Sequence, residues 1–102
     1  MKQINEKDFD QSVKEGVCLI DFYATWCMPC RLFADILDDI ENEVGEKIEI
    51  FKVDVDENEN LARRFGVMSI PTVVVLKDGK LQEKHIGVWQ KDDCIDALKK
   101  YL

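Results

Sequence analysis

The chain has 102 residues, enough for one domain with one hydrophobic core and too few for two. Its 46% hydrophobic and 34% charged residues are ordinary globular values, which excludes disorder and collagen-like repetition. With 21 acidic against 14 basic residues the net charge is −7, the wrong sign for gripping nucleic-acid phosphates or an anionic membrane surface. No apolar stretch of signal-peptide length follows Met1, and no run approaches the ~20 apolar residues of a membrane span. The expectation is a single domain over 1–102, cytoplasmic, in a compartment that keeps thiols reduced.

Two periodicities alternate along the chain. After a weak strand at 1–4, Phe9 and Val13 stand four apart in a polar stretch, a short amphipathic helix stopped near Gly16. Residues 17–23 are almost continuously apolar, as in a strand covered on both faces, and a single carboxylate, Asp21, interrupts them. Leu32, Phe33, Ile36, Leu37, Ile40 and Val44 then recur at helical spacing up to a stop at Gly45, with Pro29 suited to the first turn. A second buried strand follows over 48–55.

Residues 56–60 form a polar turn. Leu61, Ala62 and Phe65 make a short helix ended by Gly66. Ile70-Pro71-Thr72 leads into the β-branched strand 73–76, and Asp78-Gly79 signals a hairpin into a strand over 81–86 broken by Gly87. The last helix carries Ile95, Leu98 and Leu102 on one face, with Asp92 and Asp93 early and Lys99 and Lys100 late, in accord with the helix dipole. Strand–helix–strand units closed by a hairpin predict an α/β fold, a central mixed sheet with helices on both faces.

The four cysteines divide by context. Cys27 and Cys30 stand where a buried strand turns into a helix, and a helix N-terminus stabilises a thiolate. The second thiol lies close enough to attack the sulfur of the first. A redox-active dithiol is the favoured reading of this CxxC. A zinc site is disfavoured because Cys18, Cys94 and the single histidine, His85, supply no second close pair of ligands. A purely structural disulfide is disfavoured because so short a loop adds little chain entropy. Cys18 and Cys94 fall on apolar positions and read as inert core residues. His85 reads as structural or surface. Asp21, a lone carboxylate in an apolar strand, is costly to ionise and should have a raised pKa suited to proton exchange.

Trp26-Cys27-Met28-Pro29-Cys30 after Asp21-Phe22-Tyr23-Ala24 resembles the active-site segment of the thioredoxin family, and Ile70-Pro71-Thr72 resembles its second signature. The likeness covers essentially the whole chain and implies the thioredoxin fold. It further implies Cys27 as the exposed nucleophile, Cys30 as the buried resolving thiol, Asp21 as the buried carboxylate behind them, Lys52 as its paired lysine, and Pro71 as a cis-proline facing the CxxC. Trp26, Pro29, Ile70, Gly87 and Val88 become the substrate-binding face. The implied function is a thiol-disulfide oxidoreductase, a general protein disulfide reductase that cycles between the Cys27/Cys30 dithiol and disulfide. Its implied partners are disulfide-containing proteins and a thioredoxin reductase, with the chain a monomer. The chain has no nucleotide fingerprint, so no bound cofactor and no metal are expected. The rival readings are a specialised oxidase or isomerase, separated by its redox potential, and a non-catalytic binding subunit of the same fold.

The chain departs from the family at several positions. Met28 stands where glycine is usual, Arg31 for lysine, Asp35 for a helix-kinking proline, Ser69 for glycine and Tyr23 for a common tryptophan. Met28 adds flexible apolar surface beside Cys27 and is expected to alter substrate preference.

Overall fold

The computed structural model describes residues 1–102. In chain order the elements are β1 (Lys2–Gln3), α1 (Phe9–Ser12), β2 (Val17–Tyr23), α2 (Met28–Val44), β3 (Glu49–Asp54), α3 (Glu59–Arg64), β4 (Thr72–Lys77), β5 (Lys80–Ile86) and α4 (Lys91–Lys99). The five strands form one sheet in the order β1-β3-β2-β4-β5. β1, β3 and β2 run parallel, and β4 and β5 are each antiparallel to their predecessor in the sheet. This is the mixed sheet of the thioredoxin fold.

Alternation along β2 sends its residues to two cores. Val17 and Leu19 join Ile50, Val73 and Val75 beneath Phe33, Leu37 and Ile40 of α2 and Ile95 and Leu98 of α4. Cys18, Ile20 and Phe22 join Phe51, Val53 and Val74 on the other side, covered by Phe9 of α1 and Leu61 of α3. β2 is therefore buried on both faces, which accounts for its unbroken apolar sequence.

Two apolar positions do not follow the helical pattern read from the sequence. The stripe of α2 that is buried is Phe33, Leu37, Ile40 and Val44, spaced four, three and four. Leu32 lies one position off that stripe and is exposed. At the C-terminus α4 ends at Lys99, so Leu102 lies beyond it and is exposed.

The β4–β5 turn has both central residues at positive φ, Asp78 at 51° and Gly79 at 81°. That twist suits a tight hairpin, and Asp-Gly is the pair that tolerates it. Asp78 also ties the turn to the entry of β2. Its carboxylate accepts the Gly16 N–H at 2.9 Å and its own N–H donates to the Gly16 carbonyl at 2.9 Å.

Candidate active site

Both cysteines of the CxxC are placed by the start of α2. Cys27 is the N-cap residue, with extended backbone (φ −88°, ψ 112°), and its Sγ accepts the Cys30 N–H at 3.2 Å. A sulfur thus occupies the capping position usually taken by a Ser or Asp oxygen, at the positive end of the helix dipole. Cys27 and Cys30 are joined as a disulfide, with Cα atoms 5.3 Å apart. The preceding turn is held by the Cys27 N–H on the Ala24 carbonyl at 3.2 Å and by the Arg31 guanidinium on the Thr25 carbonyl at 3.0 Å.

Exposure does not separate the two sulfur residues. Cys27 is 5% exposed and Cys30 4%, so the exposed nucleophile expected at Cys27 is largely covered in the disulfide state. Its cover includes the loop before β4, where Cys27 Sγ lies 3.9 Å from the Ile70 carbonyl oxygen. What distinguishes Cys27 is its place at the rim, between Trp26 and Met28, each 66% exposed. Cys30 sits inside the first turn of α2.

The Ile70–Pro71 peptide bond is cis, Pro71 is buried and Ile70 is half-buried. Gly87 donates its N–H to the Pro71 carbonyl at 2.8 Å, at a φ of 90° that side-chain-bearing residues rarely adopt. This bond brings the 87–88 segment beside Pro71, so Gly87 and the half-buried Val88 border the same loop as Ile70. Pro29 is exposed in the first turn of α2. The structure thus brings together Cys27, Ile70, Pro71, Gly87 and Val88, which the sequence scatters across 27–88.

Asp21 lies on the sheet face covered by α2, since it shares the alternation of Val17 and Leu19. It is 0% exposed, and neither carboxylate oxygen has a hydrogen-bond partner. Burial pushes its carboxyl up from 3.8 to about 7, and the positive charge of Lys52 only partly opposes this. Lys52 is Asp21's register partner on β3, but the expected pairing is not an ion pair. Its ammonium lies instead over the Tyr23 ring, 4.4 Å from the centroid, and reaches Asp21 only through its longer-range charge. The competing attraction is the negative face of the ring.

Two residues at the site have no site role in the sequence reading: Tyr23, marked there only as a departure from the family's tryptophan, and Asp56. Tyr23 holds Lys52, as just described. Asp56 accepts the Trp26 indole N–H at 2.7 Å and is itself fixed by its N–H on the Asp54 carboxylate at 2.9 Å. The sequence signal for Asp56 is the Asp54-x-Asp56-x-Asn58 spacing, in which the Asp54 and Asn58 side chains bond the backbone of the turn and leave the Asp56 carboxylate for Trp26. Cys18 and Cys94 lie elsewhere, each fully buried. Burial raises their thiols to about 11 and about 12, which leaves them un-ionised at neutral pH.

A five-stranded mixed sheet that presents a disulfide at a helix N-cap, opposite a cis-proline loop, defines the thioredoxin class of redox protein. Comparison with known proteins agrees. The thioredoxin family's sequence profile matches residues 1–100. Thioredoxin of Listeria monocytogenes is 45% identical over 102 residues, covering 100% of this chain and 99% of that protein. Thioredoxin of Bacillus subtilis is 43% identical over 97 residues, 95% of this chain and 93% of its own. Thioredoxin of Staphylococcus aureus is 42% identical over 100 residues, 98% of this chain and 96% of its own. The chain belongs to the thioredoxin family. It is a thiol-disulfide oxidoreductase that works through its own Cys27–Cys30 pair, with disulfide-bearing substrates on one side and a reductase on the other. No helix is long and apolar enough to cross a membrane.

Proposed function

We propose that the protein is a general cytoplasmic reductase of protein disulfides, acting as a one-domain monomer over 1–102 and regenerated by a thioredoxin reductase. The observation that carries this reading is the position of Cys27, whose sulfur caps α2 and accepts the Cys30 N–H. A thiolate at that point gains both the helix dipole and a hydrogen bond.

The cycle begins with the reduced protein. The Cys27 thiolate attacks one sulfur of a substrate disulfide, and the other substrate sulfur leaves as a thiolate. Cys30 gives its proton to Asp21, and its thiolate attacks Cys27 Sγ. The second substrate sulfur leaves, and the Cys27–Cys30 disulfide remains. Two electrons have passed to the substrate, and the reductase returns two to the disulfide. An acid with a pKa near 7 can both take and return a proton at physiological pH, which supports Asp21 in this role. Lys52 moderates that acidity through its charge. Pro71 faces the disulfide, while Trp26, Pro29, Ile70, Gly87 and Val88 form the surface on which an extended substrate lies.

The test is a trap. A Cys30→Ser variant, unable to resolve the mixed disulfide, is passed over cell protein, and the adducts are mapped by mass spectrometry. Every adduct is expected through Cys27. Adducts through Cys18 or Cys94 overturn the assignment. A titration of the Cys27/Cys30 couple against a defined thiol couple separates reductase from oxidase or isomerase, because a poise near the disulfide isomerases opposes net reduction. A binding subunit with an incidental dithiol is the weaker reading, and it requires partner function to survive both cysteines changed to serine.

A further inference from the structure

Register pairing of β2 with β3 puts Asp21 beside Lys52, and Tyr23, two residues along β2, shares their face. A lysine next to a buried carboxylate has an evident partner. Here it does not take that partner. Both Asp21 oxygens are unpaired, and the Lys52 ammonium lies over the Tyr23 ring at 4.4 Å from the centroid. Tyr23, Lys52 and Cys30 also line one open hollow of about 200 Å³. The ring–ammonium contact therefore forms part of the wall beside the resolving sulfur, at the half-buried edge of the site.

We propose that Tyr23 is a positioning residue: its ring face holds the Lys52 ammonium off Asp21, so that the carboxyl stays unpaired and available to exchange a proton with Cys30. Without the ring, the flexible lysine stem is free to turn toward the carboxylate, and an ion pair there favours the charged, proton-poor form. The choice of residue at position 23 then sets how readily Asp21 accepts a proton. The other groups around it are accounted for. β4 contributes the apolar Val73 opposite Asp21, and α2 contributes Cys30 and Arg31, with Arg31 engaged by the Thr25 carbonyl. Burial, together with the negative charges of Asp54, Asp21 and Glu57, pushes the Tyr23 phenol up, so its contact with Lys52 is that of a cation with the face of a neutral ring and not an ion pair.

This inference rests on the proposed proton exchange between Asp21 and Cys30, and the experiment separates the two. The Asp21 carboxyl is titrated by carbon NMR in the oxidised protein. Tyr23→Leu is expected to lower the midpoint by about one pH unit, a tenfold loss of proton affinity. Tyr23→Phe, which keeps the ring face, is expected to leave it in place. In a Lys52→Met background Tyr23→Leu is expected to lose most of its effect. A midpoint unmoved by Tyr23→Leu overturns the proposal, and so does an equal shift with and without Lys52, which makes the ring a shield against water and nothing more. Tyr23→Met serves the same test if the leucine variant does not fold. The rate of mixed-disulfide resolution against pH, compared with Asp21→Asn, reads the proton role by itself. An unchanged profile in Asp21→Asn removes that role while leaving the NMR shifts to decide whether Tyr23 holds Lys52.

Discussion

Asp21 makes the stability of the oxidised protein depend on pH in a direction opposite to that of most carboxylates. In the folded state its pKa is about 7, and unfolding returns it to the ordinary 3.8. The folded state thus binds the proton more tightly. Below pH ~4 both states are protonated and Asp21 adds no penalty. Between pH ~4 and ~7 the unfolded chain has released the proton and the folded one has not, so stability falls as pH rises. Above pH ~7 the penalty is constant. Each pH unit across that interval is worth ~1.4 kcal/mol, so the full cost is about 4 kcal/mol, a large share of the ~5–15 kcal/mol that holds a domain of this size. Asp21→Asn removes the titration and leaves a buried amide whose own cost does not vary with pH. The assay is urea unfolding of the oxidised wild type and variant from pH 4 to 8.5. The variant is expected to gain on the wild type progressively between pH 4 and 7, by up to about 4 kcal/mol, and to hold that gain above pH 7. A difference that is flat across the range refutes the assignment of a raised pKa to Asp21, whatever its sign.

Three further outcomes are expected. Asp56→Ala deprives the Trp26 indole of its 2.7 Å partner, and should shift Trp26 emission and lower kcat/KM for a protein disulfide about fivefold, the equivalent of ~1 kcal/mol. Unchanged emission and turnover show that the bond does not position the rim. Replacing Met28 by glycine removes a 66% exposed side chain beside Cys27, and should change the ranking of several protein substrates while costing less than about 1 kcal/mol in thermal or urea unfolding. An unaltered substrate ranking rejects Met28 as a specificity residue. Gly79→Ala forces a side chain into φ 81°, where its Cβ would meet the Lys14 and Val13 backbone only at an ordinary 3.9 Å, so backbone strain alone should cost about 1–2 kcal/mol in urea unfolding without changing the Cys27/Cys30 potential.

Much of the fold was legible because its signals are local. The apolar run of β2, the spacing along α2 and the Asp78-Gly79 turn each announce an element from within a few residues. The dithiol was legible for the same reason, since both cysteines and the helix start that Cys27 caps fall within four positions. The misreadings came at margins. Leu32 matches helical spacing loosely and misses the buried stripe by one position, and Leu102 was counted on a helix that ends three residues earlier. Periodicity tells which residues could share a face, and packing tells which of them does.

The sequence by itself determined the chemistry on which this protein runs, a dithiol at a helix N-terminus, and it placed a lone acid in the strand that precedes it. Those features follow from covalent neighbours and from residue types whose burial cost is known in advance. Only the tertiary structure decided the settings of that chemistry. Cys27 is covered because a loop more than forty residues away lays the Ile70 carbonyl against it. Asp21 is unpaired, and Lys52, its register partner, lies over the Tyr23 ring instead. A lysine stem can reach several partners of comparable attraction, and which one it meets depends on distances that exist only once β2, β3 and α2 have packed.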